Sequence, residues 1–271
     1  MTLVYGAYVP NAPFLIDPGA FGGAGRSTVQ ALRSLEMLER YRPDTIVVSS
    51  PHWMTRDGIR VQVSERPPQI YDFSGFPPSL SQVRYEPPGD PVLARALVEA
   101  GQRAGEAVQA TTDWGLDHGA WAPLLHLAPG AKTPVVPVSI APSRGPEFHY
   151  RTGQAFRPVL EDPVRRTALI ATGSILHDFS RFSQDPASRW PEGERIEREI
   201  VERALARDLP GLVGYDRRAW QLARPEGDLA PLFLLLGALG NGFSGRERSR
   251  EYAFGGFSLG ALEFVPTPAP G

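Results

Sequence analysis

The chain has 271 residues, 42% of them hydrophobic and 21% charged, with a formal net charge of −2 and no cysteine. That length and apolar fraction suit a globular protein with a substantial core, and the near-neutral charge leaves no electrostatic footprint for nucleic acid or an anionic membrane. No apolar run reaches the roughly 18 to 20 residues of a membrane span, and without cysteine any metal must be held by His, Asp, Glu or Asn. The opening MTLVYGAYVP lacks the basic flank and cleavage region of a signal peptide, so a cytoplasmic location is the expectation. Arginine supplies nearly all the basic charge, Lys132 being the sole lysine.

In chain order, LVYGAYV (3–9) reads as a strand. A helix is expected over 26–41, with Val29, Leu32, Leu35 and Leu38 on one face. RPDTIVVSS then gives a Pro-Asp turn and a fully buried strand, and IRVQVS (59–64) alternates like a strand with one wet face. Residues 91–105 read as helix, TPVVPVSI as strand, 147–160 as helix and TALIATG (167–173) as another buried strand. A charged helix covers 192–207, a strongly apolar one 228–240, and FGGFSLGALEFV closes with a strand. Strand and helix alternation with Val/Ile-rich strands predicts one α/β domain over 1–265, built on a central, mostly parallel sheet with mixed edges and flanking helices. The remaining PTPAPG (266–271) reads as a disordered tail.

In such sheets, polar residues just beyond the carboxyl ends of strands form sites. Of the five histidines, His52 follows the strand TIVVSSP, His177 follows ALIATGSIL, and His118 stands in LDHGAW, a polar turn before a helix. Asn11, between Pro10 and Pro13, also lies just past a strand. Taken singly these positions have ordinary readings. His118 could bond a turn, Asp228 could cap the apolar helix, and Asn11 could satisfy loop backbone. His126 and His149 carry no motif and read as surface or core residues.

Together, RPDTIVVSSPHW, GFPPSLSQVRYEPPGDPVLA, LDHGAWAPL, ATGSILHDF and PEGDLAPLFLLLGALG stand in an order and spacing that resemble the class III extradiol ring-cleavage dioxygenases. This is the superfamily of the protocatechuate 4,5-dioxygenase catalytic subunit and the DOPA-dioxygenase-like proteins, and the likeness covers nearly the whole chain. It implies non-haem Fe(II), or Zn in some relatives, held by two histidines and a third Glu or His. The first metal position falls on Asn11 and the second on His52. The third falls on Asp228, counted back from Gly237, with Glu226 as the alternative register. The acid/base position falls on His177 and the substrate-contacting one on His118. Trp53, Phe73, Phe76 and Trp121 are candidates for the walls that hold the ring.

The implied activity is cleavage of a catecholic or aminophenolic ring with O₂, in aromatic catabolism. Two imidazoles and a carboxylate on one face would leave room at the metal for a bidentate diol and O₂, and a histidine titrates in the range needed to move a ring proton. The implied partners are a small aromatic substrate and O₂, with assembly as a homo-oligomer or with a homologous subunit. Asn11 departs from the pattern, because an amide is a weaker donor than imidazole. The alternative is therefore a catalytically silent homologue or non-catalytic subunit with a degenerate metal site, Asn11 standing in place of His, and with no cofactor as one possibility. A third reading is a hydrolase or lyase working through His177 and His118 alone.

Overall fold

A computed structural model describes residues 3–267. Its strands are β1 (Leu3–Val9), β2 (Thr45–Met54), β3 (Ile59–Gln62), β4 (Val108–Thr111), β5 (Val135–Ile140), β6 (Thr167–Thr172), β7 (Phe243–Ser249), β8 (Tyr252–Ala253), β9 (Phe257–Ser258) and β10 (Ala261–Pro266). The helices are α1 (Arg26–Ser34), α2 (Met37–Tyr41), α3 (Pro91–Arg103), α4 (His118–Leu127), α5 (Gly145–Leu160), α6 (Pro191–Ala206), α7 (Leu209–Val213), α8 (Arg217–Ala223) and α9 (Ala230–Leu239). Eight strands form one sheet in the order β4-β3-β5-β2-β6-β1-β10-β7. The centre, β5-β2-β6-β1, is parallel, whereas β10 and β7 add antiparallel strands at one edge and β3 meets β5 antiparallel at the other. This is a single α/β domain with a mostly parallel, mixed sheet.

The central strands are apolar throughout because both their faces are covered. In β2, Ile46 and Val48 pack on one side with Trp121, Leu124 and Leu127 of α4, while Val47 packs on the other with α3, α5, α6 and α9. Ala168 and Ile170 against Leu169 and Ala171 repeat the alternation in β6. Every residue of α9 is buried, as expected of a helix apolar all round. It lies close against α5, where a Cβ on Gly153 would come within 2.1 Å of the Leu234 carbonyl oxygen and one on Gly237 within 2.0 Å of that of Tyr150. Glycine at both positions is what lets the backbones touch.

The structure departs from the sequence reading in several places. The helix expected over 26–41 breaks at Glu36, which takes a left-handed φ of 47° and separates α1 from α2. The apolar helix starts at Ala230, not 228, because Gly227, Asp228 and Leu229 all have positive φ (57°, 51° and 57°). Strands β4, β7 and β8 and helices α7 and α8 add to the elements expected from sequence; most are short, and β7, FSGRERS, carries little apolar pattern. The expected tail begins later than 266, since Pro266 pairs with Phe243 in the sheet; residues 268–271 lie outside the described residues.

One buried acid has a direct consequence for stability. Glu197 of α6 is 1% exposed and its Oε2 makes no hydrogen bond among the described residues. Burial raises its pKa from 4.5 to about 7, against the lowering effect of Tyr252 and Ser258. The folded state thus binds this proton more tightly than the unfolded chain does. The contribution is intact below about pH 4.5 and is lost as pH rises through about 7. Wild type should lose roughly 2 to 3 kcal/mol more than Glu197→Gln between pH 5 and pH 8.5. Urea unfolding of both proteins at the two pH values checks this, and parallel pH profiles would exclude it.

Candidate metal centre and its aromatic cavity

The carboxyl ends of three neighbouring parallel strands supply the floor of a cavity of about 720 Å³. Asn11 stands two residues past β1, His52 lies near the end of β2, and Ser174 and His177 follow β6. Glu226 comes from the turn before α9. His118 is the first residue of α4, whose N-terminus is capped by Asp117. Asp72, Phe73 and Phe76 come from the long segment 63–90, which is tied down from outside itself and within. The Trp121 indole donates to the Ile70 carbonyl (3.0 Å), and the Tyr71 hydroxyl donates to that of Val83 (2.6 Å).

Two carboxylates organise the polar groups. Glu226 Oε1 lies 3.1 Å from His52 Nε2, accepts from the Asn11 amide at 3.2 Å and is 3.9 Å from His177 Nε2. Its Oε2 accepts the Ser174 N–H at 3.0 Å. Asp72 Oδ2 lies 3.0 Å from His52 Nδ1, while Oδ1 lies 2.8 Å from His118 Nδ1 and accepts the His118 backbone N–H at 2.8 Å. His52 is therefore held at both ring nitrogens, and its ring meets that of His118 edge-on at 4.1 Å.

This clamp sets the charges. Burial by itself would push His52 down, but its bonds to Asp72 and Glu226 outweigh that and bring it to about 10. Burial would raise Glu226, yet the bond to His52, the nearby His177 and the Asn11 amide hold it at about 2. Asp72 is likewise kept well below the usual carboxylate range by His118 and His52 in spite of burial. Asp117 behaves oppositely: burial and the Asp72 charge raise it, although Ser50 and Trp114 bond to it.

The donor set fits a divalent ion. Ligand atoms about 2.1 Å from one ion stand roughly 3 to 3.4 Å apart. The spacings of Glu226 Oε1 from His52 Nε2 and from the Asn11 amide, 3.1 and 3.2 Å, fall in that range. The amide can present Oδ1 by a flip. His52 gives its other nitrogen to a carboxylate, as metal-binding imidazoles do. A second group, His52, Asp72 and His118, keeps its ligand atoms within 4.8 Å of one another and shares His52 with the first.

Of the residues singled out from sequence, Asn11, His52, His118, His177, Phe73 and Phe76 line one cavity. Asp228 does not. It lines a separate cavity with Trp220, whose indole donates to it at 3.3 Å. Counting back through a helical register places it wrongly, because three consecutive left-handed residues precede the helix. Glycine suits the first of these positions, where φ is 57° and a Cβ would meet Ile140 Cδ1 at 2.6 Å and Pro51 Cβ at 3.0 Å. The alternative register, Glu226, is the one that faces the cavity.

Trp53 and Trp121 are also not cavity-lining residues. Successive side chains of a strand point to opposite faces, so Trp53 turns away from His52 and stacks on Trp114 at 6.2 Å. Trp121 is fully buried behind Phe73, 6.2 Å between ring centroids. His126 and His149 are buried and bonded to backbone, to the Leu15 carbonyl and to Ala141 and Gly145. Asp72 is absent from the residues singled out from sequence, although it stands in YDFSGFPP, three residues before the motif that begins at Gly75.

Residues 25–259 match the family described as the catalytic LigB subunit of aromatic ring-opening dioxygenase. A 4,5-DOPA dioxygenase extradiol of Escherichia coli (strain K12) is 38% identical over 207 residues, 73% of each chain. Those of Beta vulgaris and Mirabilis jalapa are 32% and 29% identical, covering 83% of this chain and 84% and 85% of theirs. The crystal structure of an uncharacterized Escherichia coli K12 protein superposes with a TM-score of 0.76 at 24% identity, covering 96% of this chain and 99% of that one, a likeness of fold.

Proposed function

We propose, since this chain belongs to the family of the catalytic LigB subunit of aromatic ring-opening dioxygenases, that it cleaves a catecholic or aminophenolic ring with O₂ next to the oxygenated carbons. The observation that carries this reading is the convergence of His52 Nε2, the Asn11 amide and His177 Nε2 on Glu226 Oε1 at the floor of an aromatic cavity. His52, Glu226 and Asn11 would hold Fe(II), with Zn as the alternative ion. Fe(II) bound there would supply the Lewis acidity and redox chemistry that bring a diol and O₂ to react, whereas Zn would supply Lewis acidity alone.

The protein's own groups have separate tasks. Asp72 fixes the imidazoles of His52 and His118 through their Nδ1 atoms. A His118 that donates Nδ1–H to Asp72 keeps Nε2 as an acceptor for a ring hydroxyl. His177 would take the proton of the second hydroxyl and return it as the ring opens. Phe73 and Phe76, edge-to-face at 5.8 Å, exclude water and hold the ring plane.

Asn11 makes the metal site testable. Asn11→His should tighten Fe(II) binding by at least about tenfold, roughly 1.4 kcal/mol, since imidazole replaces a weaker amide donor at a position that opens on the cavity. Anaerobic Fe(II) titration of wild type and variant measures it, with oxygen uptake on added catechols as the activity readout. Equal affinities in a folded variant would remove Asn11 from the metal. The same asparagine favours the second reading, a silent homologue: metal binding without oxygen uptake on any catechol or aminophenol would select it.

A further inference from the structure

Above its polar floor the cavity is walled by phenylalanine. Phe179 packs on His177 at 4.9 Å and on Phe257 at 5.0 Å, Phe182 stacks on Phe254 at 5.6 Å, and Phe14 joins Phe254 at 5.5 Å and Phe21 at 6.0 Å. Two of these rings are open to solvent, Phe179 being 67% and Phe182 56% exposed. Exposed large apolar side chains at the rim of a cleft mark a contact surface. Among the described residues, no arginine or lysine lines this cavity. The two arginines that flank it in sequence are engaged elsewhere. Arg181 lies 3.5 Å from Asp178 and sits over the Trp190 ring, and Arg224 lies 3.1 Å from Asp178. The anionic groups that do face the cavity, Asp72 and Glu226, are both at the floor.

The cavity thus has a polar end and an apolar end whose lining holds no arginine or lysine. At about 720 Å³ it falls in the range that accommodates drug-sized ligands, about 300 to 1,000 Å³. Resting on the ring-cleaving reading of the same site, we infer that it selects an ortho-diol or aminophenol bearing an uncharged, apolar substituent of aryl size. A carboxylate on that substituent would lose its hydration against phenylalanine rings with no cation to meet it. The amino-acid side chain of DOPA, the compound in the name of the relatives, is in the same position.

The test is anaerobic calorimetry of the Fe(II)-loaded full chain with 3-phenylcatechol, 3,4-dihydroxybenzoate and L-DOPA, followed by oxygen uptake on the same three. The phenylcatechol should bind at least about tenfold more tightly than either charged ring. Phe182→Arg, a change at an exposed position outside the polar floor, should narrow that ratio several-fold by giving a carboxylate its missing cation. Equal or tighter binding of either charged ring overturns the inference even if rings are cleaved, as would no binding of any of the three. Preference for the phenylcatechol without oxygen uptake would retire the ring-cleaving reading and leave the ligand class standing.

Discussion

Replacing His177 with alanine should lower ring-cleavage turnover by about 10² to 10⁴, the usual contribution of a general acid or base. The residue is held at the cavity by backbone on two sides. Its N–H donates to the Ala223 carbonyl at 3.0 Å, and it bridges to Phe257. Its imidazole stands between Phe179 and Phe257, with Nε2 3.9 Å from Glu226 Oε1 and the side chain 28% exposed toward the cavity. Alanine would leave those backbone bonds in place, so melting temperature should change little while oxygen uptake collapses. Fe(II) affinity, measured in the same preparations, should stay within a few-fold. A variant that turns over at the wild-type rate would remove His177 from the chemistry.

Glu226→Gln should weaken Fe(II) binding by at least about 100-fold, whereas Asp228→Asn should leave it within about twofold. Losing a group that merely orients a metal ligand costs about 10 to 100-fold, and Glu226 would be a ligand itself. Glutamine keeps the shape and can keep a carbonyl oxygen toward His52 and Asn11, but its NH₂ then faces the Ser174 N–H that Oε2 accepts, so the effect combines lost charge and donor strength with one lost backbone bond. Glu226 also faces His52 and His177, its Oε1 lying 3.1 Å and 3.9 Å from their Nε2 atoms. Part of the loss will therefore come from rearrangement of those imidazoles, and the variant's melting temperature with and without metal separates the two contributions. Asp228 is exposed and its indole partner, Trp220, lies outside the cavity. The reverse outcome, with Asp228→Asn the damaging change, would restore the helical count and displace Glu226.

The contrast between these two acids shows where reading the chain stops. The periodicity of β2 and β6, apolar on both faces, is a local signal, and it identifies parallel strands buried in a sheet. It also locates Asn11, His52 and His177 at strand ends, since the opening of such a sheet lies at its carboxyl edge. His118 was legible for a similar reason, as the first residue after the helix cap Asp117.

What the amino-acid sequence determined by itself is therefore the α/β class, the family and most of the residues at the cavity floor. The class and the strand-end residues depend on patterns carried within single elements, and the family on the order and spacing of five motifs along the chain. Only the tertiary structure decided that Glu226 and not Asp228 faces His52, because three left-handed residues turn the chain in a way no helical count anticipates. It alone brought in Asp72, from a segment whose course is set by bonds to Trp121 and within itself rather than by any repeat. It sent Trp53 to the opposite face from His52 through the two-residue period of the strand. The phenylalanine walls converge from the segments after β1, β6 and β8, far apart in the chain. Contacts between distant segments depend on how the whole core closes, and no window of sequence contains that information.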